Sequence, residues 1–435
     1  MTSGNNTGNG GSTLRLFGNT EFVALASTAF ARSQAYSTIL IALALYADLF
    51  NTSGVVEGLF GTVFAIVQLV IVLPLGRYID IGNSKRYLLV GLVLNIVVLA
   101  GFIFVTAVEH VIFLRAVQGF GASILWITGT AVVGEISPDS SRGLWIGSYN
   151  QVAAFSSLAG DLFGGLLLFL YGFQVTYVVL IVITTFATIS VFLFLRDNPG
   201  GKADPEEITG AESFKLLLNR TAVRALLLFR AAFSIGKMAV IIFLPIYART
   251  VFNINPLAIG GILAGGKLTK SLAQGKVGDL TDKFGNKYMF ILAGALTYAL
   301  GTALIPLAPY VTGFLPAFEI SAFGRSMVLP PVFFGFFGAY AILGIADSLR
   351  LPASMTLFVE EGEYFDAVAG SLSLRSISWK VGQITGPVLV GAIADLTSFP
   401  IGFWTASAFI VVSSMIFAFT FSIDPEPDLS PRLGD

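Results

Sequence analysis

The chain contains no cysteine. Disulfide staples, thiolate nucleophiles and cysteine metal sites are therefore excluded, and the redox compartment leaves no trace in the sequence. A single histidine, His110, excludes metal centres built from clustered imidazoles, and no metal or cofactor is expected. Charge is scarce too: Asp, Glu, Lys and Arg make up 12% of the 435 residues, about half the usual ~25% of a soluble domain. A net charge of -1 and a pI near 6.0 leave no basic face for nucleic acid. Walker A, G-x-S-x-G and H-E-x-x-H patterns are absent, so an ATP-driven pump or a common hydrolase would lack its defining residues. No enzymatic activity is expected.

What the chain has in quantity is apolar surface. Hydrophobic residues make up 55% of it, with a mean hydropathy of +0.82, more than a water-soluble fold can bury. A membrane-spanning helix needs about 20 mostly apolar residues. Such runs fall near 22–49, 55–79, 87–107, 112–135, 145–170, 174–195, 223–250, 256–277, 287–309, 331–354, 367–394 and 400–423. Runs such as "VLIVITTFATISVFLFL" are too long and lack the alternation of barrel strands. The expectation is an all-α membrane protein of about 12 transmembrane helices. Lys and Arg gather in the links after even-numbered spans, for example Arg77, Lys85, Arg86, Arg142, Lys276 and Lys283. By the positive-inside rule both termini are then cytoplasmic, and a plasma-membrane location is expected. The opening "MTSGNNTGNGGST" is polar and glycine-rich, predicted disordered.

The polar stretch "RDNPGGKADPEEITGAESFK" is too short to bury a core. It divides the chain into a disordered terminus 1–20, a bundle 21–195, a linker 196–222, a bundle 223–423 and a tail 424–435. "LPLGRYIDIGNSKR" at 73–86 is echoed by "QGKVGDLTDKFGNK". Gly76, Asp80 and Lys85 recur at the same spacing as Gly278, Asp282 and Lys287. Asn83 stands where the second copy has Gly285, and asparagine also tolerates a left-handed turn. "LYADLF" (45–50) matches "IYARTVF" (246–252), and "GDLFGG" (160–165) matches "GPVLVG" (386–391). The halves read as parallel repeats, two six-helix pseudo-symmetric bundles.

Two six-span halves with G-x-x-x-D-x-x-G/N-x-K after spans two and eight resemble the major facilitator superfamily. The fourth span, "RAVQGFGASILW", with Arg115, Gln118, Gly119 and Gly121, is similar to that of its 12-span drug:proton antiporter branch. In the fifth span Gly160, Gly164 and Gly165 fit the antiporter pattern, with Asp161 where proline is expected; Gly386-Pro387 places the proline in the eleventh span. The resemblance implies transport by alternating access, with Gly76, Asp80, Lys85, Arg86, Gly278, Asp282, Gly285 and Lys287 forming a cytoplasmic gate. It also implies that spans three, six, nine and twelve face lipid. An ordinary basic loop that serves topology is the competing reading of the hinge.

An ionisable residue at mid-membrane costs at least ~2.5 kcal/mol and marks a functional site by default. Arg32, Arg115, Asp161, Arg230, Lys237, Lys267, Lys270, Asp347, Arg350, Arg375 and Lys380 fall inside spans. Arg32, Tyr36, Lys237, Lys267, Lys270, Arg375 and Lys380 are the candidate substrate ligands. Their positive excess suits an anionic or amphipathic small molecule, unless they pair among themselves or snorkel. Asp161 is the first candidate proton carrier, then Asp347 and Glu135, with Arg115 tuning the group. Gly119, Gly121, Gly160, Gly164, Gly165, Gly386 and Pro387 are expected at helix contacts. The leading reading is proton-coupled efflux by a monomer in the lipid bilayer. Organic-anion uptake or exchange and lipid flipping are transporter alternatives; a receptor or membrane enzyme is the alternative outside that class.

Overall fold

The computed structural model describes residues 15–138, 141–197, 211–284, 286–322, 325–363 and 368–423. Among them run α1 (Thr20–Phe50), α2 (Gly54–Ile81), α3 (Ser84–Ile103), α4 (Val108–Ile136) and α5 (Arg142–Phe194). The short α6 (Ala211–Asn219) precedes α7 (Thr221–Thr250), α8 (Pro256–Phe284) and α9 (Lys287–Leu304). A 3-10 turn (Ile305–Gly313) and a hairpin of β1 (Phe318–Ala322) and β2 (Arg325–Leu329) follow, then α10 (Pro331–Glu363), α11 (Val368–Leu396) and α12 (Phe399–Ile423). Nine of these helices are long and apolar enough to cross a membrane by length and composition. α5 supplies two spans, broken at Gly172, whose φ of 71° belongs to the left-handed region that glycine enters without strain. Two separate spans were expected there. α8 and α11 are less apolar, since Lys267, Lys270 and Lys276 interrupt the one and Arg375 and Lys380 the other.

The helices form two compact units. One comprises Met1–Thr52, Val63–Pro205 and Pro245–Ala264; the other comprises Ser53–Thr62, Glu206–Leu244 and Gly265–Asp435. Each unit takes a short segment from the other sequence repeat. Residues 198–210 of the expected linker, the N-terminal 14 residues and the tail beyond 423 lie outside the described residues.

In the first unit a cluster of Phe22, Leu25, Ala29, Leu88, Leu92, Leu125, Trp145, Tyr149 and Val191 ties α1, α3, α4 and α5 together. At the other end of α1, Tyr46 stacks on Phe173 at 4.4 Å, and its hydroxyl donates to the Phe102 carbonyl at 3.1 Å. In the second unit Phe229 stacks on Phe417 at 4.9 Å and Phe233 meets Tyr298 edge-on at 5.0 Å. Lipid cannot supply a hydrophobic drive between helices. Close packing of small residues and hydroxyl-to-backbone bonds supply the adhesion instead. Ser156 donates to the Phe30 carbonyl (2.5 Å), Ser407 to that of Ala299 (2.8 Å) and Thr62 to that of Ile384 (2.7 Å).

The faces expected to meet lipid carry rows of exposed large apolar side chains. These are Val90, Val93 and Val97 on α3, Val182, Phe186 and Ile189 on the second limb of α5, Met289, Leu296 and Leu300 on α9, and Val412, Met415 and Phe419 on α12. The repeated hinge holds one correction. Asn83 is not left-handed: at φ -90° it caps α3, accepting from the Arg86 N–H, as Asn286 caps α9 by accepting from Met289. The asparagines that do turn left-handed are Asn51 and Asn253, just after α1 and α7.

The expected packing glycines differ in tightness. A Cβ on Gly119 would stand 2.6 Å from the Phe64 carbonyl oxygen, whereas on Gly121 it would meet only the Leu94 side chain at 3.4 Å. Gly119→Ala should therefore lower stability in detergent by about 1–3 kcal/mol through overpacking. Gly121→Ala should be neutral or slightly stabilising, since alanine gains about 1 kcal/mol of helix propensity. Thermal unfolding of both variants checks the contrast.

Candidate functional site

In the second unit α7 turns Arg230, Phe233, Ser234 and Lys237 to one face, as the spacing i, i+3, i+4, i+7 requires. That face meets Asp347 and Arg350 of α10 and Arg375 and Trp379 of α11. Lys237 forms an ion pair with one oxygen of Asp347, and Arg350 reaches the other at 3.2 Å. Lys270 of α8 adds its positive charge to the same neighbourhood. Arg230 Nε donates to the Arg375 carbonyl at 2.8 Å, while Ser234 and Ser378 bolt α7 to α11 through the Trp379 and Leu227 carbonyls.

Aromatic faces surround these cations. The Arg350 guanidinium lies 3.9 Å from the Phe233 ring centroid, Arg230 lies 5.0 Å from Trp379, and Lys237 lies 5.3 Å from Tyr298. Arg350 is 1% exposed, yet its Nε and Nη1 have no hydrogen-bond partner among the described residues. The same holds for Arg230 Nη1 and Arg375 Nε. Buried donors of this kind favour an acceptor that brings negative charge. Among the described residues Asp347 is the carboxylate that pairs with both Lys237 and Arg350, so the geometry makes it their counter-ion. Removing either partner of a buried pair costs about 3–5 kcal/mol. Lys380 is buried and donates to Gln383 at 2.9 Å, one turn along α11. Lys267 stands half-buried on α8.

In the first unit Arg115 is 1% exposed on α4. It donates to Gln118 at 2.5 Å and sits over the rings of Phe64 (4.3 Å) and Tyr36 (5.8 Å). Asp161 is fully buried on α5. Its neighbours Gly160 and Gly164 let α5 lie against α1: a Cβ on Gly160 would stand 2.7 Å from the Gln34 carbonyl oxygen, and Gly164 faces the Thr38 side chain. Thr38 in turn donates to the Gly160 carbonyl at 3.1 Å, and Ser37 bonds Ser157 at 2.7 Å. Gly260 of α8 lies directly on the Asp161 backbone, and Gly165 packs on Pro256. Arg32 is half-buried on α1, with its Nε lacking a partner among the described residues. Glu135 is exposed at the end of α4.

The expected gate is only partly visible. The side chains of Asp80 and Asp282, the surroundings of Gly76 and Gly278, and residue Gly285 lie outside the described set. Lys85 pairs with Asp197 at 3.4 Å, Lys287 pairs with Glu360, and Arg86 is exposed. At the opposite ends of the spans the structure reveals contacts that the sequence reading missed. Asp395, at the end of α11, accepts from the Gly54 N–H (2.5 Å) and the Val55 N–H (2.9 Å), capping α2 with both oxygens. Gly54 lies against Gly391, Gly58 against the Pro387 backbone, and Gly386 against Ile235. Glu57 is a buried carboxyl in the first turn of α2. Arg249 pairs with Asp48 at 2.9 Å. Their signal was present: the "YAD" and "YAR" triplets of the matched segments hold these two residues at the same place.

Comparisons with known proteins agree with this architecture. An uncharacterized MFS-type transporter of Methanocaldococcus jannaschii is 23% identical over 86% of this chain and 91% of its own. A multidrug resistance efflux pump PmrA homolog of Lactococcus lactis is 21% identical over 87% of this chain and 89% of its own. The crystal structure of a bacterial homolog of the human lysosomal transporter Spinster superposes with a TM-score of 0.72 at 14% identity, covering 94% of this chain and 98% of that one. The Major Facilitator Superfamily family model matches residues 25–334. With its twelve helices, its repeated hinge and this match over most of its length, the chain belongs to the Major Facilitator Superfamily and is a multi-pass membrane transporter of small molecules.

Proposed function

We propose that this transporter exports an amphiphilic small molecule bearing an anionic group, and that proton entry drives the export. The observation that carries the substrate class is the cluster in the second unit. Lys237 and Arg350 share one carboxylate, Asp347; Arg230 joins them on the same face of α7 and bonds the Arg375 backbone, and Phe233, Tyr298 and Trp379 line the same space. Guanidinium donors without acceptors suit a carboxylate, phosphate or sulfonate, and the rings suit an apolar body. Export is supported by the antiporter-like fourth span and by the multidrug efflux relative. Coupling falls to a carboxyl other than Asp347, which is engaged by Lys237 and Arg350; Asp161 is the candidate, with buried Glu57 beside it in rank. The Lys and Arg bias supports cytoplasmic termini in a plasma membrane, and a single chain carries both repeats, as a working monomer requires.

Alternating access then has the two repeats rock about a site near the membrane midplane. The cytoplasmic hinges latch one side. Asp395 on the α2 N-terminus, where the helix dipole favours negative charge, latches the other. Uptake of an organic anion rests on the same cations and would differ in the direction of flux.

Organic anions should raise the melting temperature of the purified protein, by about 2.7 kcal/mol of stabilisation at a hundredfold excess over Kd. Lipophilic cations should leave it unchanged. Lys237→Gln, which leaves Asp347 paired with Arg350, should lose most of the anion effect; full retention would remove Lys237 from the site. In proteoliposomes, Asp161→Asn should keep substrate counterflow while abolishing accumulation driven by a pH gradient. Loss of both would mark Asp161 as a packing residue. Asp395→Ala should weaken the cap by about 1 kcal/mol. A cysteine placed at Thr62 should then react about fivefold faster with an impermeant maleimide, and an unchanged rate would exclude Asp395 from the latch.

A further inference from the structure

The link between α9 and α10, residues 305–330, has no assigned role and an unusual surface. In 26 positions it carries only two charges, Glu319 and Arg325. Its 3-10 turn anchors itself through Ile305 and Ala308, which are buried, with Gly335 of α10 packed on Ala308. The remaining large side chains point outward: Leu307, Tyr310 and Phe314 are exposed, the last at 87%. They continue the lipid-facing row of α9, so that Met289, Leu296, Leu300, Leu307, Tyr310 and Phe314 form one apolar strip.

The hairpin that follows is amphipathic. Its register pairs Phe318 with Leu329, Ile320 with Met327, Glu319 with Val328 and Ser321 with Ser326. Directly opposed residues share a face. One face therefore holds Phe318, Ile320, Met327 and Leu329, with Ala322 and Arg325 in register at its turn end, and the other holds Glu319, Ser321 and Ser326 with Val328. The apolar face is docked at one end only. Leu329 is buried and Phe318 meets Phe334 edge-on at 5.3 Å, yet Phe318 and Ile320 remain 45% and 41% exposed.

We propose that this segment is a membrane-surface anchor: the 3-10 turn and the apolar face of the hairpin lie in the headgroup layer of the leaflet opposite the chain's termini. The occupant is the bilayer itself because the exposed strip is continuous with the lipid-facing surface of α9. Tyrosine and phenylalanine at a span's end are the side chains that settle at that depth. Lying flat, the segment keeps the hairpin's unpaired strand edges at an interface where headgroups and water satisfy them.

Because the protein has no native cysteine, single spin labels can be placed directly. Phe314→Cys, Ile320→Cys, Ser321→Cys and Ser326→Cys variants, each first checked for monodispersity, are labelled and reconstituted in phosphatidylcholine vesicles. Labels at 314 and 320 should collide more often with oxygen than with a water-soluble nickel complex. Labels at 321 and 326 should show the reverse order. Two results would overturn the proposal. If all four positions favour nickel, the hairpin stands in water. If 314 and 320 are shielded from both reagents, the apolar face is covered by protein.

Discussion

A positive charge that has left water must find negative charge or a polarisable face, and most of the second unit answers to that constraint. Lys237 and Arg350 share the Asp347 carboxylate. Arg230 lies against Trp379 and gives one N–H to a carbonyl of the facing helix. Neither arrangement neutralises the whole group. The cluster holds more basic side chains than the one carboxylate that pairs with them, an excess that is costly for stability alone. Under the proposed function, folding and recognition draw on the same residues.

Close approach of helices is the second condition. Gly160 and Gly164 bring α5 against α1 around the buried Asp161, and Gly54, Gly58 and Gly386 bring α2 and α7 against α11. A side chain at these places would push apart the helices that position the charged groups. Hydroxyls of Ser37, Thr38, Ser234 and Ser378 then bond across the same seams. The scaffold is dense where charges must be held and presents exposed apolar rows elsewhere, as on α3 and α12.

Much of this was legible in the chain. Span positions follow from apolar length, the hinge motif repeats in plain view, and Lys237, Asp347 and Arg375 stand out because charge is rare in such runs. What escaped the reading has physical causes. The break between the fifth and sixth spans rests on a single residue, Gly172, with no polar linker to mark it. The hairpin at 318–329 hides in an apolar link whose alternation is only five residues long per strand. Glu57 and Asp395 sit near span ends, where acidic residues are ordinary in sequence; their partners are distant along the chain. Asn83 was read for its turn tolerance, whereas its side chain serves as a cap.

The Asp48–Arg249 pair holds a consequence for how such a chain could arise. The two residues occupy the same place in the two repeats, each two positions after a tyrosine. Had the repeats begun as identical copies, this contact would have set aspartate against aspartate or arginine against arginine, a like-charge repulsion. Attraction there requires that the copies differ. The asymmetry of one residue turns a duplicated helix end into a complementary lock, which two identical halves could not have formed with each other.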